Sequence, residues 1–572
     1  MSSIDWIVLA ATLLGVIVYG VLKSRTSRSL DGYFLGDRAL PWYMILLSIM
    51  GTQASAVTFL SAPGQAYTDG MRFVQYYFGL PIAMVVLCVV FVPLYHRLKV
   101  YTAYEYLEGR FDVKTRTLTS ALFLLQRGLS TGISIYAPSI ILSSLLGWNI
   151  YWTNVVMGGL LIIYTTTGGA RAVAYTQQLQ LIVIFASLAV VGYMVIHLLP
   201  AGVGFVDALH ISGKLGRLNA LTTGSNTKHG FDWTDRYNIW SGLVGGFFLA
   251  LSYFGTDQSQ VGRYLTAKSI RESRLGLLMN GLVKIPMQFC ILLLGALVFV
   301  FYQFYPAPLS FNRVQTDRVQ ASVYRIEGNA LQARYDSLSM QKQLAATAYA
   351  DALNRHDTAV QDHAGLLLQG LRQKDLALRK DFQALLGKPG LKGGETDDTN
   401  YIFLRFIVDY LPRGLVGLVI AIIFLAAWGS IAAALNALAS CSVVDIHKKF
   451  IRKECTHEED YSVSRWYTLG WGVFCVLTAQ FASNLGSLIQ AVNILGSLFY
   501  GTMLGIFLVA FYLKRAGGDV VFWSALVAEA GVIALFAWSD IGFLWLNAVG
   551  ALSVVALAWM GSFIRPASSS RG

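Results

Sequence analysis

Charge is what this chain has least of. Only 13% of its 572 residues are Asp, Glu, Lys or Arg, where a soluble domain carries roughly 25%. That shortage excludes an ordinary water-soluble protein. Cysteine is scarce too. Cys88, Cys290, Cys441 and Cys475 lie in apolar runs, and Cys455 lies in a basic stretch. No pair shares an oxidising face, so neither a disulfide nor a metal centre is expected. No glycine-rich loop ends in Lys-Ser/Thr, which argues against an ATP-driven pump. No Ser/His/Asp cluster points to an enzyme. The basic start of a cleavable signal is also missing: Asp5 precedes the first apolar run, and Lys23, Arg25 and Arg28 follow it. The first run is therefore expected to stay in place, with its N-terminus outside the cell.

What the chain has is hydrophobic length. Hydrophobic residues make up 55% of it, and the mean hydropathy is +0.54. This is an integral membrane protein built from helices. A net charge of +12 invites a nucleic-acid reading, but the basic residues cluster in short loops between apolar runs. Runs of about 20 residues mark spans. They fall near 4–22, 42–66, 73–96, 118–145, 150–168, 176–199, 240–262, 275–304, 401–445, 464–483, 486–513, 520–537 and 541–563, about thirteen spans. The basic loops 23–41, 97–117, 263–274, 446–463 and 514–519 then share one side by parity. That side is the cytoplasm. The C-terminus is cytoplasmic by the same count, and a cell (inner) membrane is the expected location, with lipid as a partner.

The chain divides into residues 1–305, with eight spans, an insertion at 306–399, and residues 400–572, with the rest. Within the insertion, Ala321–Leu386 has apolar residues at helical spacing among i,i+4 charge pairs, which predicts a solvated helical hairpin. Parity places it outside, where it is a candidate surface for an extracytoplasmic partner. It is too polar for hydrocarbon and is expected to be dispensable for what the spans do.

Two spans are broken by polar residues. Ser48–Gly70 carries Gly51, Thr52, Gln53, Ser55, Thr58, Ser61, Pro63, Gly64 and Gln65, and Ser252–Gln260 carries Thr256, Asp257 and Gln258. Irregular backbone at membrane depth is tolerated only inside protein or beside a cavity. Such breaks mark the binding sites of secondary transporters. Spans 2–6 and 7–11 form two sets of five. Five is odd, so the second set runs inverted, and the two breaks open the two sets.

The motifs ASAVTF-x-x-x-PGQAY (54–67), TAYEYLEGRF (102–111), GGARAVAYTQQLQ (168–180), FGTDQSQVGRYL (254–265) and LN-x-x-x-x-x-x-VVDI (435–446) together resemble the sodium/solute symporter family. That family includes sodium–glucose, iodide, proline, sialic-acid and multivitamin carriers. The resemblance implies an all-α, inverted-repeat (five plus five) LeuT-type fold and sodium-driven symport of a small solute by alternating access. Carried over, the sodium ligands would be the carbonyls of Gly51, Ala54 and Ala426 and the hydroxyl of Ser430. Two positions depart from the family. Gly429 stands where a second hydroxyl is usual, and Gln177 where an Asp linked to a second sodium is common. One sodium per cycle is therefore expected. Val57 and Tyr77 replace the carboxylates of the sugar carriers, which disfavours a hexose and leans toward an organic anion.

Gln53, Thr58, Tyr77, Tyr253, Asp257 and Lys284 are the expected substrate-site residues. Buried charge is costly and functional by default. Lys284 either pairs with Asp257 or meets an anionic solute. Arg127 either binds a carboxylate or reaches back to the cytoplasmic interface. Glu529 is a packing candidate, His197 an interfacial one, and Asp445 a cytoplasmic latch. A proton-coupled or uncoupled carrier, and a transporter-like sensor, are the alternatives.

Overall fold

A computed structural model describes residues 1–23, 34–35, 38–167, 170–226, 230–391, 396–452, 456–482 and 485–564. Arg25, Arg28, Gly168, Gly169 and Cys455, singled out above by themselves or within a motif, lie outside the described residues. Among those described, eight helices are long and apolar enough to cross a membrane, or nine when one bent pair counts as a span. Three shorter apolar helices accompany them: Ser3–Tyr19, Ile150–Ile163 and Ser241–Thr256.

The chain opens with α1 (Ser3–Lys23), the bent pair α2 (Trp42–Gln53) and α3 (Ala56–Asp69), and α4 (Met71–Leu98). Then come α5 (Val113–Leu146), α6 (Ile150–Thr167), α7 (Ala170–His197) and a short surface helix, α8 (Phe205–Lys214). The second broken element is α9 (Gly246–Thr256) with α10 (Gln258–Leu265), followed by α11 (Ile270–Phe304). The hairpin is α12 (Arg325–Asn354) and α13 (Thr358–Leu386). The chain closes with α14 (Thr399–Tyr410), α15 (Leu415–Cys441), α16 (His457–Ala479), α17 (Leu488–Tyr512), α18 (Gly518–Trp538) and α19 (Phe543–Ile564). The long run predicted at 401–445 is thus two helices, separated at Leu411–Gly414, where Pro412 ends the first and Gly414 takes φ +88.

α15 is the most buried span, with 89% of its apolar window inside the protein. Its all-round hydrophobicity follows, because no face of it meets water. Its N-terminus is held by Asp5, whose Oδ1 accepts from the Gly414 and Gly417 amides at 2.6 and 3.4 Å. An acid in the first turn of α1 therefore caps another helix, supplying the acceptor that orphan N–H groups need.

Glycine sets how closely the broken helix approaches its neighbours. A Cβ on Gly64 would lie 2.0 Å from the Thr399 carbonyl oxygen, and one on Gly295 would lie 2.1 Å from that of Pro63. Backbone-to-backbone contact of this kind fixes α3 against α14 and α11.

The hairpin doubles back across Arg355–Asp357, with His356 at φ +54, and Asp357 caps α13 by accepting from Val360 N at 3.1 Å. It lies against the membrane body rather than projecting freely. Asn354 donates to the Gly202 carbonyl and Gln369 to that of Lys214, both at 2.9 Å. Arg379 donates to the Pro308 and Leu309 carbonyls and to the Tyr335 hydroxyl. Lys342 meets Asp375 at 2.9 Å. Burial alone would raise the Asp375 carboxyl, but Arg379 and Lys342 outweigh it and hold it down to about 2.

Candidate functional site

The two polar breaks are real helix interruptions. α2 and α3 meet at 62°, with Ala54 and Ser55 between them outside helical geometry. α9 gives way to α10 at Asp257, which takes φ −79° and ψ 115°. Asp257 caps the new helix: its Oδ1 accepts from the Ser259 amide at 2.8 Å and the Ser259 hydroxyl at 2.6 Å.

Between the breaks lies a cavity of about 120 Å³ whose walls include Gln53, Tyr77, Arg127, Tyr253, Lys284 and Tyr500. Four of the six expected substrate residues are therefore on it: Gln53, Tyr77, Tyr253 and Lys284. Thr58 is not. Its hydroxyl points back to the break and donates to the Gln53 carbonyl at 3.4 Å. Asp257 is not on the wall either. It is fully buried behind Tyr500, whose hydroxyl donates to Asp257 Oδ2 at 2.7 Å.

An Asp257–Lys284 pair, one of the two readings of these charges, does not form. Asp257 instead faces Arg127, with Nη1 at 3.8 Å from Oδ2. Capping α10 commits one carboxylate oxygen to that helix end and turns the other toward α5 and α17. Lys284 lies on a different wall, its Nζ 5.4 Å from the centre of the Tyr77 ring. No carboxylate among the described residues pairs with it, although it is 1% exposed.

Arg127 does not snorkel. It sits about four turns into α5, roughly 21 Å from the helix start at 1.5 Å per residue, which is beyond the reach of an arginine side chain. Its guanidinium lies 6.0 Å from the Tyr253 ring centre, and its buried Nε has no hydrogen-bond partner. Arg263, expected in a cytoplasmic loop, is also inside. α10 runs on to Leu265 and buries it to 3% exposure, with Nε and Nη1 unpartnered. Tyr500 and Asn493, both on α17, were missed. Their span reads as plain hydrophobic sequence, and only its packing against α9 turns them inward.

The expected sodium ligands Gly51, Ala54, Ala426 and Ser430 lie on α2, at its end, and on α15; these helices pack together. Ser430 Oγ donates to the Ala427 carbonyl at 3.1 Å. The Gln177 amide bridges the same seam. Its Nε2 donates to the Gly429 carbonyl at 3.0 Å and the Thr52 hydroxyl at 3.2 Å, and its Oε1 accepts from Ser48 at 2.8 Å. A Cβ on Gly51 would meet the Gln177 side chain at 2.9 Å, and one on Gly429 would meet Gln180 Oε1 at 2.5 Å. Two glutamines thus fill the space beside Ser430.

Asp445 is held at the opposite end of α15's helical run. It accepts from Arg116 Nε at 2.8 Å and Thr102 Oγ1 at 2.8 Å, and Arg116 also reaches Glu108. That network ties the 102–110 segment to the end of α15. Glu529 is buried on α18, away from the cavity, and His197 stacks on Tyr193 at the end of α7.

Comparison with known proteins agrees with this architecture. The profile described as "Sodium:solute symporter family" matches residues 33–322 and 382–528, leaving out most of the hairpin. The sodium/sialic acid symporter of Proteus mirabilis (strain HI4320) is 25% identical over 96% of this chain and 93% of its own length. The human sodium/iodide cotransporter is 28% identical over 66% of this chain and 57% of its own. The rabbit (Oryctolagus cuniculus) sodium-dependent multivitamin transporter is 24% identical over 95% of this chain and 71% of its own. Among solved structures, a substrate-bound, outward-open Na+-coupled sialic acid symporter superposes with a TM-score of 0.74 at 24% identity, covering 99% of each chain. The chain is a multi-pass membrane protein of a transporter family rather than an enzyme, and it belongs to the sodium:solute symporter family.

Proposed function

We infer that this protein is a secondary transporter that couples the inward movement of sodium to that of a small organic anion. The observation that carries the reading is the charge on the cavity wall. Lys284 and Arg127 both face the space, while Asp257, the acid between the breaks, is shielded by Tyr500 and already engaged by Ser259 and Arg127. That leaves one buried cation without an anion. A carboxylate solute would supply it, and charge-assisted hydrogen bonds to Lys284 would be among the stronger contacts available. The sodium coupling named for the relatives supports the driving ion.

The same reading takes the architecture as thirteen spans in a five-plus-five inverted repeat of LeuT type. It sets the N-terminus outside an inner membrane and the hairpin on the outer side. Sodium would bind at Gly51, Ala54, Ala426 and Ser430, and Thr58 would shape the break rather than touch the solute. Only one sodium is expected, because Gln177 and Gln180 occupy the seam beside Ser430. Ser430→Ala should raise the sodium concentration for half-maximal uptake by about tenfold, the effect of losing one oxygen ligand to a cation. Gln177→Ala should leave the stoichiometry at one. Sodium-to-solute flux ratios in proteoliposomes check both, and a ratio of two would refute the one-site assignment. A proton-coupled or uncoupled carrier on the same fold is the alternative, favoured by the neutral Gln177 amide where a carboxylate would attract sodium.

The hairpin should be separable from the transport step. The family match stops at residue 322 and resumes at 382, near the end of α13, which supports a membrane body that stands without most of the hairpin. Replacing residues 323–381 with a short Gly/Ser bridge should preserve uptake at saturating solute in proteoliposomes. Loss of uptake by a monodisperse deletion protein would make the hairpin a gate instead.

A further inference from the structure

A second cavity, of about 190 Å³, lies in the seam between the hairpin and the membrane body. α13 supplies one wall, and the other comes from the outer end of α3, the segment after α8 and the start of α14. Three aspartates line it, and each is already engaged. Asp375 holds Lys342 and Arg379, Asp398 accepts from the Phe311 amide and pairs with Arg379, and Asp397 accepts from the Thr399 amide.

Two arginines on the same walls are not so matched. Arg217, 3% exposed, donates to the Thr68 carbonyl and lies over the Phe299 ring, its carbon 4.5 Å from the centre. Arg372 donates to the Leu215 carbonyl. Each keeps a buried Nε with no partner, and neither meets a carboxylate among the described residues. A guanidinium has five donors and always carries its charge, so leaving donors dry and the charge uncompensated is costly. Burial and then the neighbouring Arg372 push Arg217 down to about 10, against the opposing pull of Asp69 and Asp375, so two cations crowd each other here with no carboxylate in direct contact.

We propose that this seam is a second binding site, in which Arg217 and Arg372 together hold a small carboxylate. The planar, forked guanidinium suits a carboxylate's two oxygens, and the cavity has room for a compact one. The assignment does not depend on what the central cavity carries. Because the hairpin supplies Arg372 and falls where the family profile does not match, the site belongs to this chain's own elaboration. It also touches the broken span directly. The Arg217 carbonyl accepts from Met71 N at 3.0 Å, just past the end of α3, so an anion bound here stiffens the contact between hairpin and span.

The test uses the purified full chain and trifluoroacetate, followed by fluorine NMR line broadening at constant ionic strength. The wild type should show a saturable site that Arg372→Gln weakens by about tenfold or more, the loss of a charged hydrogen bond. Arg217→Gln should do the same, while Lys284→Gln in the central cavity leaves this site unchanged. Arg372 is half-buried, so its variant tests the site even where Arg217→Gln fails to fold. Wild-type affinity in Arg372→Gln overturns the proposal. Inorganic phosphate displacing the probe at a hundredth of its concentration overturns the carboxylate assignment. Glu395 lies next in sequence to the lining residue Thr396, outside the described residues. Binding that emerges only in Glu395→Gln shows that the chain's own acid fills the seam, and overturns the site.

Discussion

Lys284→Gln is expected to raise the half-saturation for an anionic solute by about tenfold or more, with little change in the protein's stability. Lys284 is almost completely enclosed, lies on the cavity wall and is paired with no acid among the described residues. Removing its charge strands no carboxylate, so folding loses no ion pair. The solute, in contrast, loses a charge-assisted contact, which is among the costlier ones to remove. Uptake of the same anion by wild type and variant, with thermal unfolding alongside, separates the two effects. A variant that unfolds readily yet transports normally would mean that Lys284 holds the fold and not the solute.

Arg127→Gln should behave in the opposite way. Asp257 is fully buried and faces Arg127, so the variant leaves an acid behind Tyr500 without its cation. Breaking one side of a buried pair costs about 3 kcal/mol or more. The double variant Arg127→Gln with Asp257→Asn should recover most of that loss, because a lone buried charge is worse than none. Unfolding midpoints of the single and double variants decide the matter. A single variant as stable as wild type would show that the Tyr500 and Ser259 hydrogen bonds alone sustain Asp257.

The contrast between these two residues shows what could be read in advance. The breaks at Ala54–Ser55 and at Asp257 were legible, because polar residues at membrane depth need a structural reason and each break carries several. The hairpin was legible from helical spacing of apolar residues in a polar stretch. Partner choice was not. Lys284 and Asp257 looked like a pair because both were deep charges on neighbouring spans. Which way each side chain faces depends on helix rotation, and rotation is fixed by packing partners elsewhere in the chain. Asp257 caps α10 with one carboxylate oxygen, and that local demand fixes which way its other oxygen, and so its charged partner, lies. Arg127 was left between two readings, and Arg263 was assigned to a loop, for a related reason. Their distance from a membrane face depends on how far each helix extends, and helix ends are less well marked in sequence than helix interiors. Gln177 was noticed as a departure, but its bridge between α2 and α15 needed the fold.

The central claim is that sodium drives a small carboxylate through the cavity between the two breaks. Uptake of a panel of labelled solutes into proteoliposomes, with and without an inward sodium gradient at fixed pH, tests it most directly. The expected result is accumulation of a short carboxylate above its equilibrium level only with the gradient, at one sodium per solute, and none of a neutral hexose. Accumulation that is indifferent to sodium, or confined to neutral solutes, would contradict it.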